Sequence, residues 1–370
     1  MRTKFNINKL VFIALAMFLS LGVNASAGHG HEDNHGEVAH KEHDTHGEGE
    51  DKPYNPVEFA THHVLDSYGF HLWGETTIPL PIILYTDKGL VVFSSSEFHH
   101  DHHGHTIVEK NGMKFVNYHE KVYQLKEGET HLVEKDGELN AVRPLDFSIT
   151  KNVATLFLVA ILMLLIFFSV SKYYKKNGAI QPGGLASWLE PLIIFVRDDI
   201  AKKNIGHKYA KFMPYLLTVF FFILIGNILG LIPFLSNPNL TGNISVTLTL
   251  AAITLIIQLM FANKYFWSHI FMPPVPVLLW PILVPIEILG IFIKPGALMI
   301  RLFANITAGH IIVLSLIGII FMNKSAAWSG LSIPMTLFIS VLEILVAFLQ
   351  AYIFTMLSAL FIGTAVEEHH

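Results

Sequence analysis

The sequence predicts an all-α polytopic membrane protein with two long, strongly tilted C-terminal helices, preceded by a signal peptide, a disordered His-rich tail and a small extracytoplasmic β-module. Three observations lead there. Of 370 residues, 52% are hydrophobic and only 15% charged, where soluble globular chains run near about a quarter charged; mean hydropathy is +0.48. Between Phe212 and Val366 the only charged residues are Lys264, Glu287, Lys294, Arg301, Lys324 and Glu343. Residues 28–147, by contrast, carry 22 acids, 9 bases and 16 of the 21 histidines, a net charge of −13. A soluble enzyme and a disordered scaffold both fit this poorly. The absence of Cys excludes disulfides, thiolate metal sites and cysteine nucleophiles.

Residues 1–27 read as a secretory signal. Arg2, Lys4 and Lys9 precede an apolar run at 10–23, and Ala25-Ser26-Ala27 supplies a small-residue cleavage pattern. The run is shorter than the roughly 20 residues that a spanning helix needs; the alternative is an uncleaved anchor helix. In residues 28–53, His29, His31, His35, His40, His43 and His46 alternate with acids and glycines. Nothing there offsets the entropy of ordering, which predicts disorder.

Residues 54–147 carry strand signals. Residues 78–85 and 90–93 flank a Lys88-Gly89 turn, Asn111-Gly112 separates two further apolar runs, and Asp136-Gly137 offers another tight turn. A small, mostly antiparallel β-module is the expectation.

From residue 148 onward the chain reads as membrane. Residues 153–170 form an uninterrupted apolar span followed by Lys172, Lys175 and Lys176, which places that end in the cytoplasm and agrees with an exported N-terminal part. Residues 188–201 place Leu189, Leu192, Ile193, Val196 and Ile200 at helical spacing, with Glu190, Arg197, Asp198 and Asp199 elsewhere. That pattern fits an amphipathic helix on the cytoplasmic membrane face or an ordinary helix packed on protein. Residues 215–234 and 246–262 have the length of a transmembrane hairpin. The last helix reads as starting at Ser332 (N-cap) and Pro334 and running to Val366. Its length of about 50 Å exceeds a hydrocarbon core of about 30 Å, so strong tilt is expected.

Ionisable residues inside this apolar stretch carry the chemistry. Arg301 has no acid within ten residues on either side. An Arg at mid-membrane costs about 2.5–3.5 kcal/mol on insertion scales, so its partner must come from another helix or another chain, unless it snorkels to a helix end. Arginine does not give up its proton; it can serve only as a fixed positive charge. His310 and Glu343 can relay protons, although a satisfied buried histidine is the plainer role for the former. Glu343, Ala347 and Gln350 share a helix face, and Arg301 and Asn305 lie one turn apart. His310, nine residues beyond Arg301, faces about 180° away from it. Glu287 needs a wet cavity or a partner.

Arg301-Leu-Phe-Ala-Asn305 with Ala308-Gly309-His310, then Glu343 and Leu349-Gln350-Ala-Tyr-Ile-Phe354, resembles the signature of subunit a of the F-type ATP synthase, the stator half of its rotary proton channel. Phe195-Val-Arg-Asp198, Asn227-Ile-Leu-Gly-Leu-Ile-Pro233 and Pro285-Ile-Glu287 match further family stretches in order. The resemblance covers roughly residues 185–369 and leaves the His-rich and β-rich parts outside.

It implies that Arg301 faces the carboxylate of each rotor-ring subunit with Gln350 and Asn305 beside it. His310 and Glu343 would line the extracytoplasmic half-channel and Glu287 the cytoplasmic one. Many members have the carboxylate and histidine the other way round; Gly230 stands where some carry an acid. The implied partners are an oligomeric ring of proteolipid subunit c, peripheral-stalk subunit b, the rest of the ATP synthase and the lipid bilayer of the bacterial inner membrane, with no nucleic acid. The N-terminal module would be extracytoplasmic and the C-terminus cytoplasmic. No cofactor, metal or catalytic residue is implied: the chain lacks a phosphate-cradling Gly-rich Lys-Ser/Thr loop, so catalysis would sit on other subunits. The rival reading is a metal-ion transporter whose exported tail, with the 99–105 run (His99, His100, His102, His103, His105), binds Zn²⁺, Cu²⁺ or Ni²⁺.

Overall fold

The computed structural model describes residues 66–73, 76–99, 101, 103–126, 128–135, 138–178, 183–232, 240–273, 275–322 and 329–367. The expected signal peptide and His-rich tail lie outside them.

The described N-terminal part is built of antiparallel strands: β1 (Gly69–Trp73), β2 (Thr76–Pro79), β3 (Pro81–Thr86), β4 (Gly89–Ser94), β5 (His103–Lys110), β6 (Met113–Tyr118), β7 (Lys121–Leu125), β8 (Glu134–Lys135), β9 (Glu138–Leu139), β10 (Ala141–Val142) and β11 (Leu145–Asp146). They form a four-stranded sheet β10-β7-β6-β5, a three-stranded sheet β11-β3-β4 and two small hairpins. The expected strand over 78–85 is divided at Leu80: Pro79 ends one strand and Pro81 begins the next, because neither proline has an N–H to donate to a ladder. At Asn111-Gly112 both residues take positive φ, 53° and 70°, the two-residue turn that a right-twisted hairpin favours. The two larger sheets pack over one core of Ile82, Leu84, Val91, Phe93, Val108, Met113, Phe115 and Val122.

The remainder is helical. Helix α1 (Lys151–Asn177) is followed by α2 (Leu185–Phe195), a π-helical stretch Val196–Ala201, α3 (Lys202–Ile205) and α4 (Tyr209–Gly230). Next come α5 (Ile244–Met260), α6 (Lys264–Phe271), α7 (Trp280–Met322) and α8 (Ser329–Val366). Among the described residues, four stretches are long and apolar enough to cross a membrane; α5 and α6, bent by 100° between them, make up to five. A helix in lipid satisfies every backbone polar group internally, which is why long apolar runs take this form.

One helix expectation is corrected, and one pair of alternatives is narrowed. Ser332 is not the N-cap of the last helix: α8 begins at Ser329 and carries Pro334 inside it. Pro334 costs one hydrogen bond to the carbonyl four residues earlier and does not stop a helix whose neighbours remain regular. In the amphipathic segment, Val196, Ile200 and Ala201 are fully buried in the membrane-domain core. This half packs on protein, while Trp188 at its start is exposed.

The core joins α1, the π-helical stretch, α4, α5, α7 and α8. Phe195 packs on Phe348 and Tyr352 of α8, and Phe220 of α4 lies edge-on to Phe348. Buried polar contacts add to this: the Tyr215 hydroxyl pairs with Thr254 at 2.7 Å, and Thr254 with Ser358 at 3.3 Å. Such bonds join helices that gain little from apolar contact in lipid. One end of α8 is held by other elements: Asn263 donates to the carbonyls of Ala365 (2.8 Å) and Val366 (2.9 Å), and Lys208 to that of Val366 (3.3 Å). Those carbonyls would otherwise be orphans of the helix terminus.

Candidate functional site

Helices α7 and α8 run antiparallel, so their ionisable positions meet in reverse order. Asn305 of α7 donates from Nδ2 to Oε1 of Gln350 on α8 at 3.0 Å. One and a half turns further along α7, His310 Nδ1 lies 3.6 Å from Glu343 Oε1. His310 is 8% exposed and Gln350 1%. Glu343, Ala347 and Gln350 do share a face, and that face meets α7.

Glycine makes the His310–Glu343 pairing possible. A Cβ on Gly309 would lie 2.5 Å from Glu343 Oε1 and 3.3 Å from its carboxyl carbon. A Cβ at 309 would need the end of the Glu343 side chain to move, so the carboxylate stands where it does because residue 309 has none.

Arg301 is exposed on the other side of α7, away from His310 as the helical angle requires. Among the described residues it makes no hydrogen bond or ion pair. Glu287, Lys294 and Arg301 are spaced by seven, a seam along α7 with about 21 Å between its first and last members. Glu287 makes no ion pair among the described residues either, so the two outer members of this seam are not neutralised by each other. The structure therefore brings together His310 with Glu343 and Asn305 with Gln350. Arg301, one turn from Asn305, and Glu287 make no hydrogen bond or ion pair with either pair among the described residues.

Two polar groups that sequence reasoning missed lie on the same two helices as these pairs. Thr307 Oγ1 and Thr336 Oγ1 are buried without a hydrogen-bond partner among the described residues, as are His310 Nε2 and Gln350 Nε2. An orphaned buried polar atom costs about 1–3 kcal/mol. Thr336 stands seven residues before Glu343, and Glu343 seven before Gln350, so one stripe of α8 carries all three. That spacing was the available signal for Thr336; Thr307 had none beyond its place between Asn305 and His310.

Asn227, at the end of α4, is buried and accepts at Oδ1 from the Thr241 hydroxyl at 2.5 Å. Gly230 offers no side chain there. No three His, Asp or Glu side chains among the described residues come together as metal ligands; His103 and His105 of β5 have ring centroids 6.2 Å apart.

Taken together, the membrane part presents a fixed cation outward and a His–carboxylate pair inward on adjacent helices. Comparison with known proteins places the sequence in a family. The model of the ATP synthase A chain family matches residues 153–363, and a domain of unknown function (DUF8433) matches residues 59–147. The chain is 50% identical over 232 residues to an ATP synthase subunit a of Chloroherpeton thalassium, covering 60% of this chain and 69% of that one. It is 51% identical over 247 residues to an ATP synthase subunit a 2 of Chlorobaculum tepidum, covering 65% and 68% respectively. These matches do not favour a metal-ion transporter. By its sequence over residues 153–363 and by the membrane helices built from it, the chain belongs to the ATP synthase A chain family.

Proposed function

We propose that this chain is the proton-translocating stator subunit of a rotary ATP synthase, with Arg301 as the fixed charge that a ring of carboxylate-bearing rotor subunits must pass. The observation that carries this reading is Arg301 itself: exposed on α7, inside an apolar stretch, with no counter-ion among the described residues. An ionised carboxylate on a neighbouring protein supplies the missing partner, and such a carboxylate is prohibitively costly in lipid unless paired.

The chemistry follows from what titrates and what does not. Arg301 stabilises the arriving carboxylate as an anion, so each site releases its proton toward the path on which Glu287 lies. A new proton reaches the site through His310 and Glu343, both able to take up and pass protons. The site, neutral again, leaves through lipid. Because arginine keeps its charge, protons cannot hop directly from one half-channel to the other. Asn305 and Gln350, bonded to each other, flank the Arg301 side of α7 and hold its surface against α8. Buried Thr307, Thr336 and the unpaired nitrogens of His310 and Gln350 are polar enough to support a hydrated path along α8.

The same reading gives topology and partners. Lys172, Lys175 and Lys176 mark the end of α1 as cytoplasmic, which leaves the β-rich part outside the cytoplasm. Val366, Asn263 and Lys208 meet at one end of the bundle, and alternation through α4, α5, α7 and α8 makes that end cytoplasmic. The proposed partners are a proteolipid c-ring against the Arg301 face and a peripheral-stalk subunit b; nucleotide chemistry belongs to other subunits.

The test is Arg301→Ala in the assembled complex, with ATP synthesis driven by an imposed proton gradient in membrane vesicles. Loss of synthesis with the complex still assembled is expected, and Arg301→Lys should not restore it, because an ammonium can shed its proton when desolvated. Measurable coupled synthesis in Arg301→Ala overturns the role.

A further inference from the structure

The three-stranded sheet has two apolar faces, and folding uses one. On β3 and β4, Ile82, Leu84, Val91 and Phe93 point into the core shared with the four-stranded sheet. The alternate residues, which an ordinary half-buried antiparallel sheet would make polar, are apolar as well. Pairing aligns Leu145 with Tyr85 and Tyr85 with Leu90 in one row, and Ile83 with Val92 in the next. Tyr85, Leu90, Val92 and Leu145 are between 55% and 61% exposed, and Phe147 is 43% exposed. No charged side chain interrupts these rows. A contiguous apolar patch of this kind marks an interaction surface.

We propose that this face rests on the bilayer, in the head-group and upper acyl region of the leaflet at which α1 enters. Its attachment to α1 argues for lipid rather than a protein partner. Only residues 147–150 separate β11 from α1, and they are fixed on both sides. Phe147 N donates to Ile83 O (2.8 Å), Ile149 N to Pro81 O (3.2 Å) and Lys151 N to Ser67 O (2.8 Å). Ile83 N donates to Ser148 Oγ at 2.9 Å, and Asn152 N to Asp66 Oδ1 at 3.0 Å. The sheet therefore continues into the helix without a hinge. Helix α1 shows exposed Phe157, Leu158 and Ile161, a lipid-facing surface that begins about 9 Å beyond its first residue at 1.5 Å per residue. The apolar face of the sheet is thus tied rigidly to a helix whose own exposed surface is apolar. Tyrosine with aliphatic neighbours is the composition the membrane interface takes. This inference is independent of the role of Arg301 and needs only that α1 spans the membrane.

The absence of Cys permits single-site labelling. Leu90→Cys, Val92→Cys and Leu145→Cys, with Glu109→Cys on the exposed side of the other sheet as control, would carry nitroxides in the full chain. The chain would be reconstituted, alone and within its complex, in vesicles of phosphatidylethanolamine and phosphatidylglycerol. Collision rates with oxygen, which partitions into lipid, are compared with those of a neutral water-soluble nickel chelate. The three sheet labels should favour oxygen several-fold relative to Glu109→Cys in both preparations. Ratios equal to that control would show the face in water. Protection from both reagents would show a protein cover, whether another subunit, a second copy or residues 1–65 of this chain. Either result overturns the proposal.

Discussion

Gly309 lies directly beneath the carboxylate of Glu343, so close that a Cβ on it would meet Oε1 at 2.5 Å. The two residues sit on different helices, and the smallness of one fixes where the other's charge can stand. Gly309→Ala must push the carboxylate away from His310 or separate α7 from α8. The obstacle is the end of a flexible side chain, so the effect falls on where the carboxylate stands more than on stability. Passive proton conduction should fall about tenfold, the equivalent of about 1.4 kcal/mol. Dye-quenching assays on vesicles stripped of the catalytic sector would read this, with the amount of assembled complex unchanged. Conduction equal to the parent would show that the Glu343 position is not critical.

The His310–Glu343 pair should tolerate exchange better than loss. Glu343→Gln removes the group that can carry a proton and is expected to lower conduction while rotor association, read by co-purification of the ring, persists. His310→Glu alone would set two carboxylates against each other across a gap now 3.6 Å wide, and Glu343→His alone would leave two imidazoles. Each single change should reduce conduction, and the double exchange His310→Glu with Glu343→His should recover part of it. A double variant no better than the worse single would show that the two do not act as a pair.

Much of this was legible because lipid imposes a simple rule. A chain with six charged residues between Phe212 and Val366 has little choice but apolar helices, and a lone Arg301 in such a helix announces a partner. The helical angle between Arg301 and His310 was also readable, and the structure sets one outward and the other inward. What one chain's local pattern cannot give is the stagger between helices. That His310 meets Glu343, and Asn305 meets Gln350, depends on the register of α7 against α8, which is set by close contacts such as Gly309 and the clamped end at Val366. Ser332-x-Pro334 looked like a helix start because proline is at home there; the same proline inside a long membrane helix costs one bond and leaves no other mark. Residues 78–85 read as one strand because their apolar pattern outweighed Pro79 and Pro81, which divide it, and the apolar outer face of β3 and β4 emerges only once pairing tells which residues lie side by side.

The junction between the sheets and α1 should respond to pH. Asp66 accepts from the amide of Asn152 at 3.0 Å. Burial raises its carboxyl above the ordinary value, against the lowering effect of hydrogen bonds from Asn152 and Thr150 and the charge of Lys151. A raised folded value means that the fold favours the protonated form. Its stabilising contribution is therefore complete below the unfolded value of about 4 and is lost as pH rises through the folded one. Exchange at the Asn152 amide, corrected for intrinsic rate, should show protection declining over that interval. Asp66→Asn, which keeps an oxygen acceptor and cannot ionise, should flatten the decline. An unchanged slope in that variant would assign the effect to another group.

The close approach of α8 to the segment before α4 should prove less tolerant than that at Gly309. A Cβ on Gly363 would fall 1.9 Å from the backbone oxygen of Asn204. The obstacle is main chain, so no rotamer change relieves it. The helix must move, and with it the carbonyls of Ala365 and Val366 that Asn263 and Lys208 hold. Gly363→Ala should therefore lower the thermal stability of the complex by an amount near the upper end of the overpacking range, about 3 kcal/mol. It should also reduce proton conduction, because Glu343 and Gln350 ride on the same rigid helix. Asn204→Ala should rescue neither loss, since the offending oxygen remains in place. Rescue by that substitution would mean that the side chain of Asn204, and not its backbone, sets the spacing of α8.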